Sequence, residues 1–97
     1  MLFLVTWEFA DASNAGQAES LKAFSKWQPG PAQFQGFYGY ADGTGGCAIV
    51  EAGDAATLFK TVAPFTPWIR FQAKPILPIQ ESAQLAGEAM AWRAANA

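Results

Sequence analysis

The stretch from Leu2 to Phe9, LFLVTWEF, constrains the fold more than any other part of this 97-residue chain. Its residues are aliphatic, aromatic or β-branched, with Phe3, Val5, Trp7 and Phe9 on one side of an extended chain and Leu2, Leu4, Thr6 and Glu8 on the other. A strand that is largely apolar on both sides belongs inside a sheet and needs cover on both faces. The rest of the sequence must therefore supply neighbouring strands at both edges and layers above and below.

It does so in alternation. Asp11, Ser13 and Asn14 offer caps for a helix over about 14–27, where Ala18, Leu21, Phe24 and Trp27 recur at helical spacing until Gln28-Pro29-Gly30-Pro31 stops it. Phe34, Gly36, Tyr38 and Tyr40 then alternate with Gln33, Gln35, Phe37 and Gly39. The stretch Asp42-Gly43-Thr44-Gly45-Gly46 leads into a second run, Cys47 to Ala52, which predicts a hairpin whose glycine loop needs positive φ. Gly53-Asp54 caps a second helix with Ala55, Leu58, Phe59, Val62 and Ala63 on a single buried face, and Pro64 ends it. A fourth strand runs from Ile69 to Leu77; Pro75 lacks the N–H a ladder requires and marks this strand as an edge. Pro78 opens an Ala-rich helix over about 79–95 that carries Ile79, Leu85, Met90 and Trp92.

The order β, α, β, β, α, β, α predicts one α+β domain over residues 1–97. Two split βαβ units with right-handed crossovers give a ferredoxin-like antiparallel sheet of order 4-1-3-2, followed by a C-terminal helix. Helices cover one face of such a sheet. The other face is too apolar for water. Composition adds weight: 52 % of residues are hydrophobic and 14 % charged, against roughly 25 % charged in ordinary soluble domains. A chain of this size buries only about 60 to 70 % of its unfolded surface, so the apolar surplus points to a homodimer through the open sheet face.

Several function classes fall away. The net charge is −2 and the six basic residues, Lys22, Lys26, Lys60, Arg70, Lys74 and Arg93, are scattered, which argues against nucleic acid and an anionic membrane surface. The apolar start has no basic residue before it and is too short for a signal or spanning segment, so it is expected to be a strand of a cytoplasmic protein. The lone Cys47 cannot form an intrachain disulfide, in keeping with a reducing compartment. Histidine is absent from the sequence, which removes Ser-His-Asp and Cys-His nucleophile systems, histidine-ligated haem and most zinc sites. The eight acids are dispersed, and no cofactor or metal is expected.

The candidate site residues each carry an ordinary structural alternative. Glu8, near the end of the first strand, and Arg70, near the start of the fourth, come together if those strands pair; they form either a plain ion pair or a carboxylate and guanidinium that orient a substrate. Glu51 stands beside a helix start, where an acid suits the dipole, or acts as a catalytic base. The Gly43-Thr44-Gly45-Gly46 run precedes a strand rather than a helix, so a hairpin loop explains it better than a phosphate cradle. Cys47 has no electropositive neighbour in sequence and reads as structural. Thr6, Trp7, Tyr38, Tyr40 and Arg70 are expected to line an apolar pocket between sheet and helices that takes a small apolar or aromatic molecule. The aromatic surplus fits a dimer interface equally well.

The start MLFLVTWEF, the helix ending FSKW before a Pro-Gly-Pro turn, the DGTGGCAIVEAGD hairpin and the Lys74-Pro75 close of the fourth strand resemble a small bacterial family of unknown function. That family is placed in the dimeric α/β-barrel superfamily of ferredoxin-like domains. The resemblance implies the fold and a homodimer. Similar folds include cofactor-independent monooxygenases, haem-degrading monooxygenases, muconolactone isomerases and chlorite dismutases, and the missing histidine disfavours the haem enzymes. A ligand-binding protein, a cofactor-free monooxygenase or isomerase using Glu8 or Glu51, and an interaction module without a pocket remain as the three readings.

Overall fold

A computed structural model describes residues 1–10, 13–28 and 30–97. The elements are β1 (Leu2–Phe9), α1 (Asn14–Lys26), β2 (Gln33–Gly39), β3 (Gly45–Glu51), α2 (Ala55–Val62), a 3-10 turn (Ala63–Phe65), β4 (Ile69–Ile76) and α3 (Ile79–Ala95). Asp11 and Pro29, read from the sequence as a cap and a helix breaker, lie outside the described residues.

The four strands form one antiparallel sheet in the order β2-β3-β1-β4. This is the ferredoxin-like arrangement that the alternation of periods predicts. β1 pairs along its length with β3 on one side and β4 on the other, which satisfies its backbone and explains its two apolar faces. Pro75 sits on the edge strand opposite Phe3, where its nitrogen can face away from the ladder.

Directly paired residues project to the same side of a sheet, so the register separates the two faces. Phe3, Val5 and Trp7 share the helix side with Val50, Ala48 and Phe71. Phe3, Val5, Ala48 and Val50 form the core with Ala32, Ala52 and Leu58, and Val50 is fully sealed at 0 % exposure. Leu2, Leu4, Thr6 and Glu8 face the other way, beside Ile49, Cys47, Gln72 and Arg70. Among the described residues no helix packs on that second face.

The helices bury few of their apolar residues, and α2 departs from the face predicted for it. Ser13 caps α1, its hydroxyl oxygen accepting from the Gly16 N–H at 3.0 Å. Among the described side chains of α1 the buried residues are Gly16 and Ser20, whereas Ala18, Leu21 and Phe24, which recur at helical spacing, are exposed. In α2 the buried residues are Leu58 and Thr61, and Phe59 stands 64 % exposed. Thr61 tolerates burial because its hydroxyl donates to the Thr57 carbonyl at 2.9 Å, which leaves its methyl for packing. The glycine loop also divides: only Gly43 has a positive φ, 77°, while Gly45 and Gly46 already belong to β3.

Two exposed aspartates hold the chain's turns. Asp54 accepts from the Thr57 N–H at 2.7 Å at the start of α2, and Asp42 accepts from the Thr44 hydroxyl at 2.7 Å and the Thr44 N–H at 3.1 Å. The Thr57 backbone N–H chiefly, with its hydroxyl, holds the Asp54 carboxyl below its ordinary value; the Thr44 hydroxyl chiefly, with its N–H, does the same for Asp42. A depressed carboxyl stabilises the fold above its unfolded pKa, and the contribution is lost as pH falls through the lower folded value. The urea midpoint is therefore expected to hold steady from neutrality to about pH 5 and to fall below about pH 4. Replacing both residues (Asp42→Asn with Asp54→Asn) should make that fall shallower; an unchanged acid limb would refute the assignment.

Candidate functional site

The sheet carries a cavity on each face; most of the sequence candidates border the open-face one, Trp7 borders both, and Tyr38 and Glu51 border neither. On the open face, Thr6, Trp7, Glu8, Tyr40 and Arg70 line a cavity of about 280 Å³, joined by Thr44 and Gln72 among others. The register dictates this grouping, because Glu8 lies opposite Arg70 and Thr6 opposite Gln72 on neighbouring strands. Tyr40 joins them from the hairpin, where its N–H donates to the Gly45 carbonyl at 2.8 Å.

Electrostatically this site is weak. Arg70 Nη1 lies 3.5 Å from Glu8 Oε1, but the two side chains are 73 % and 64 % exposed. Exposed ion pairs contribute about 0 to 1 kcal/mol, and water screens their hold on a ligand. Tyr38 does not reach this cavity. It shares a cross-strand row with Cys47 and, beyond it, Thr6, but its ring lies back over Gly36, where an added Cβ would come within 2.9 Å of it. Cys47 is half-buried on the same face. Glu51 stands at the far end of β1, opposite Leu2, and accepts from the Met1 ammonium at 2.7 Å. It is therefore remote from Glu8 and Arg70.

The second cavity, about 290 Å³, lies between the sheet and α1 on the helix side. Of the sequence candidates only Trp7 borders it; the indole projects to this face while the neighbouring Thr6 and Glu8 project to the other. Its wall is aromatic: Phe24, Trp27, Phe34, Phe37 and Phe65 join Trp7. Their rings meet mostly edge to face. Trp7 and Phe37 have centroids 5.3 Å apart at 86°, Trp27 and Phe65 5.3 Å apart at 82°, and Trp27 and Phe34 5.5 Å apart at 85°. Such pairs contribute about 0.5 to 1.5 kcal/mol each beyond area burial, so the wall is stiff. Trp27 is further fixed by its indole N–H, which donates to the Thr61 carbonyl at 3.1 Å.

Strict alternation in β2 would send Phe34 and Phe37 to opposite faces. The β2–β3 register slips between Phe34 and Gly36, and this bulge returns Phe37 to the side of Phe34, opposite Ala48. The two rings stack with centroids 4.9 Å apart. The sequence signal is a glycine inside a strand, Gln35-Gly36 between two phenylalanines, which often marks a bulge.

Among the described lining residues of the apolar cavity no side chain is ionisable, and Ser20 supplies the one side-chain hydroxyl. Among the described residues no cluster of histidine, cysteine or acidic side chains could hold a metal ion, and no helix is long and apolar enough to cross a membrane. Residues 1–90 match the profile of a family described as a domain of unknown function (DUF3303). No curated protein matches the chain significantly.

Proposed function

The chain belongs to the DUF3303 family of unknown function, and from that premise we propose that it is a homodimeric protein which binds a small apolar or aromatic molecule between sheet and helices. The observation that carries this reading is the aromatic-walled cavity beside α1. At about 290 Å³ it stands at the small end of ligand pockets, which run from about 300 to 1,000 Å³, and suits a ligand of one or two rings. Edge-to-face walls match the face of such a ring, and Trp7 and Trp27 would report its arrival. Binding is favoured over catalysis because acid and base are on the wrong side. Glu8 and Arg70 project from the opposite face of the sheet, and among the described residues lining the aromatic cavity none carries an ionisable group to exchange a proton with a ligand. The lone cysteine supports a reducing, cytoplasmic setting.

Leu21 stands at the cavity mouth, 69 % exposed. Indole and naphthalene are expected to quench the tryptophan emission saturably and to raise the melting temperature. Leu21→Trp, which enlarges the mouth residue without loading the core, should weaken both effects at least about tenfold while leaving the unliganded melting temperature near that of the parent. Linear, unsaturable quenching, or binding indifferent to Leu21→Trp, would remove the cavity as a ligand site.

A further inference from the structure

The C-terminal helix α3 gains no burial from the described residues of its own chain. It runs for 17 residues and buries none of them. Ile79, Met90 and Trp92 are 74 %, 62 % and 67 % exposed, and Leu85 49 %. An isolated helix of this length is marginal in water, and helices gain most of their stability by packing an apolar face. The chain's dimensions show the same imbalance. Its radius of gyration is 17.5 Å and its longest extent 59 Å, against about 12.5 Å for the radius of a compact chain of this length. Its accessible surface is 6848 Å² for 10.4 kDa, about 1,400 Å² above the roughly 5,400 Å² of a compact monomer of that mass. A standard interface removes about 800 Å² from each partner, so the excess is of the size a stable dimer covers.

We propose that α3 is an exchange arm, which lies across the open sheet face of a second copy while the second copy's α3 covers the first; this rests on the homodimer proposed above for the chain. Two features of the helix select a second copy over its own sheet. Leu85 and Trp92, seven residues apart and so nearly two full turns, share one stripe, with Glu81 and Glu88 beside them. Ile79, Ala83, Ala86 and Met90 form a second stripe on the opposite side. Folded back on its own sheet the helix would bury one stripe and leave the other in water. Between two subunits both are covered, which is where a helix apolar on opposite sides belongs.

Charge sets the fit. The open face has an apolar strip, Leu2, Leu4, Ile49 and Ile76, flanked on the β4 edge by Arg70 and Lys74. Those two bases are about 13 Å apart along the strand, and Glu81 and Glu88 are about 10.5 Å apart along the helix. With Leu85 and Trp92 laid on the apolar strip, the acidic row falls beside the basic one, within the reach of long side chains.

Cys47, the single cysteine, lies on that open face and gives a natural handle. The full chain would be prepared as Leu85→Cys, Glu88→Cys and Trp92→Cys, oxidised mildly, and compared by light scattering and by electrophoresis without reductant. The expected result is a dimer in solution and an interchain disulfide in at least one variant, abolished by Cys47→Ser. An intrachain disulfide in a monomeric band would show the helix folded on its own sheet and overturn the exchange. A dimer by light scattering with no crosslink at any position would overturn the exchange and leave the homodimer standing. A monomer by light scattering would remove both.

Discussion

Gly45→Ala is expected to cost at least about 3 kcal/mol, enough to leave a chain of this size largely unfolded. A Cβ at Gly45 would collide with the Trp7 carbonyl oxygen and crowd the Glu8 backbone. Both belong to β1, the interior strand, which is held on each side by a ladder and cannot yield. Gly46→Ala is nearly as severe, because its Cβ would collide with the Trp7 indole and the Tyr38 carbonyl oxygen. Gly43 and Gly53 sort by a different cause. At Gly43 there is open space but φ is 77°, so alanine there costs only about 1 kcal/mol of backbone strain. Gly53 has open space and no positive φ, and alanine there should be close to neutral. Urea unfolding of the four variants gives the order directly. If Gly43→Ala proves the most damaging, loop conformation rather than close approach governs this hairpin, and the steric ranking fails.

That order separates what the sequence discloses from what it hides. A glycine-rich run announces a turn, and the hairpin is where the spacing puts it. Nothing in the letters distinguishes a glycine that needs positive φ from one that needs room, because room is set by whatever lies across the strand. Here it is Trp7, about forty residues earlier. The same limit explains the rest. β1, Pro75 and the order of periods make the sheet legible, since backbone pairing and strand position follow from local pattern. The pairing of Glu8 with Arg70 follows from topology alone.

Helix faces are less legible. Phe59 has the spacing of a buried row yet stands 64 % exposed, and Leu21 and Phe24 border the open cavity beside the sheet without filling it, while Gly16, Ser20 and Thr61 are buried. Periodicity finds an apolar face but not which rotation of the helix the sheet accepts, and small residues let a backbone approach where large ones cannot. The site is the least legible part. Thr6 and Trp7, adjacent in sequence and expected in one pocket, border cavities on both faces: Trp7 contributes to each, Thr6 only to the open one. Strict alternation puts Phe37 on the wrong side, because a period of two carries no record of a bulge.

Trp27→Ala is expected to cost about 3 to 5 kcal/mol, the range for deleting a large aromatic from a packed site. Trp27 ties three parts of the helix layer to the sheet: its ring meets Phe24 of α1, Phe65 of the 3-10 turn and Phe34 and Phe37 of β2, and its N–H reaches Thr61 of α2. Trp27→Phe keeps most of the ring contacts and gives up the bond to the Thr61 carbonyl, for which about 1 to 2 kcal/mol is expected. The comparison apportions the two effects, and equal losses in both variants would mean that the hydrogen bond, not the ring packing, fixes α1 to α2. The cavity gives a second readout. Deleting the indole opens the aromatic wall, so Trp27→Ala should lose saturable indole binding even where enough folded protein remains to measure. Trp27→Phe should retain it, because a ligand in that cavity meets the ring and not the nitrogen, whose hydrogen is already committed to Thr61.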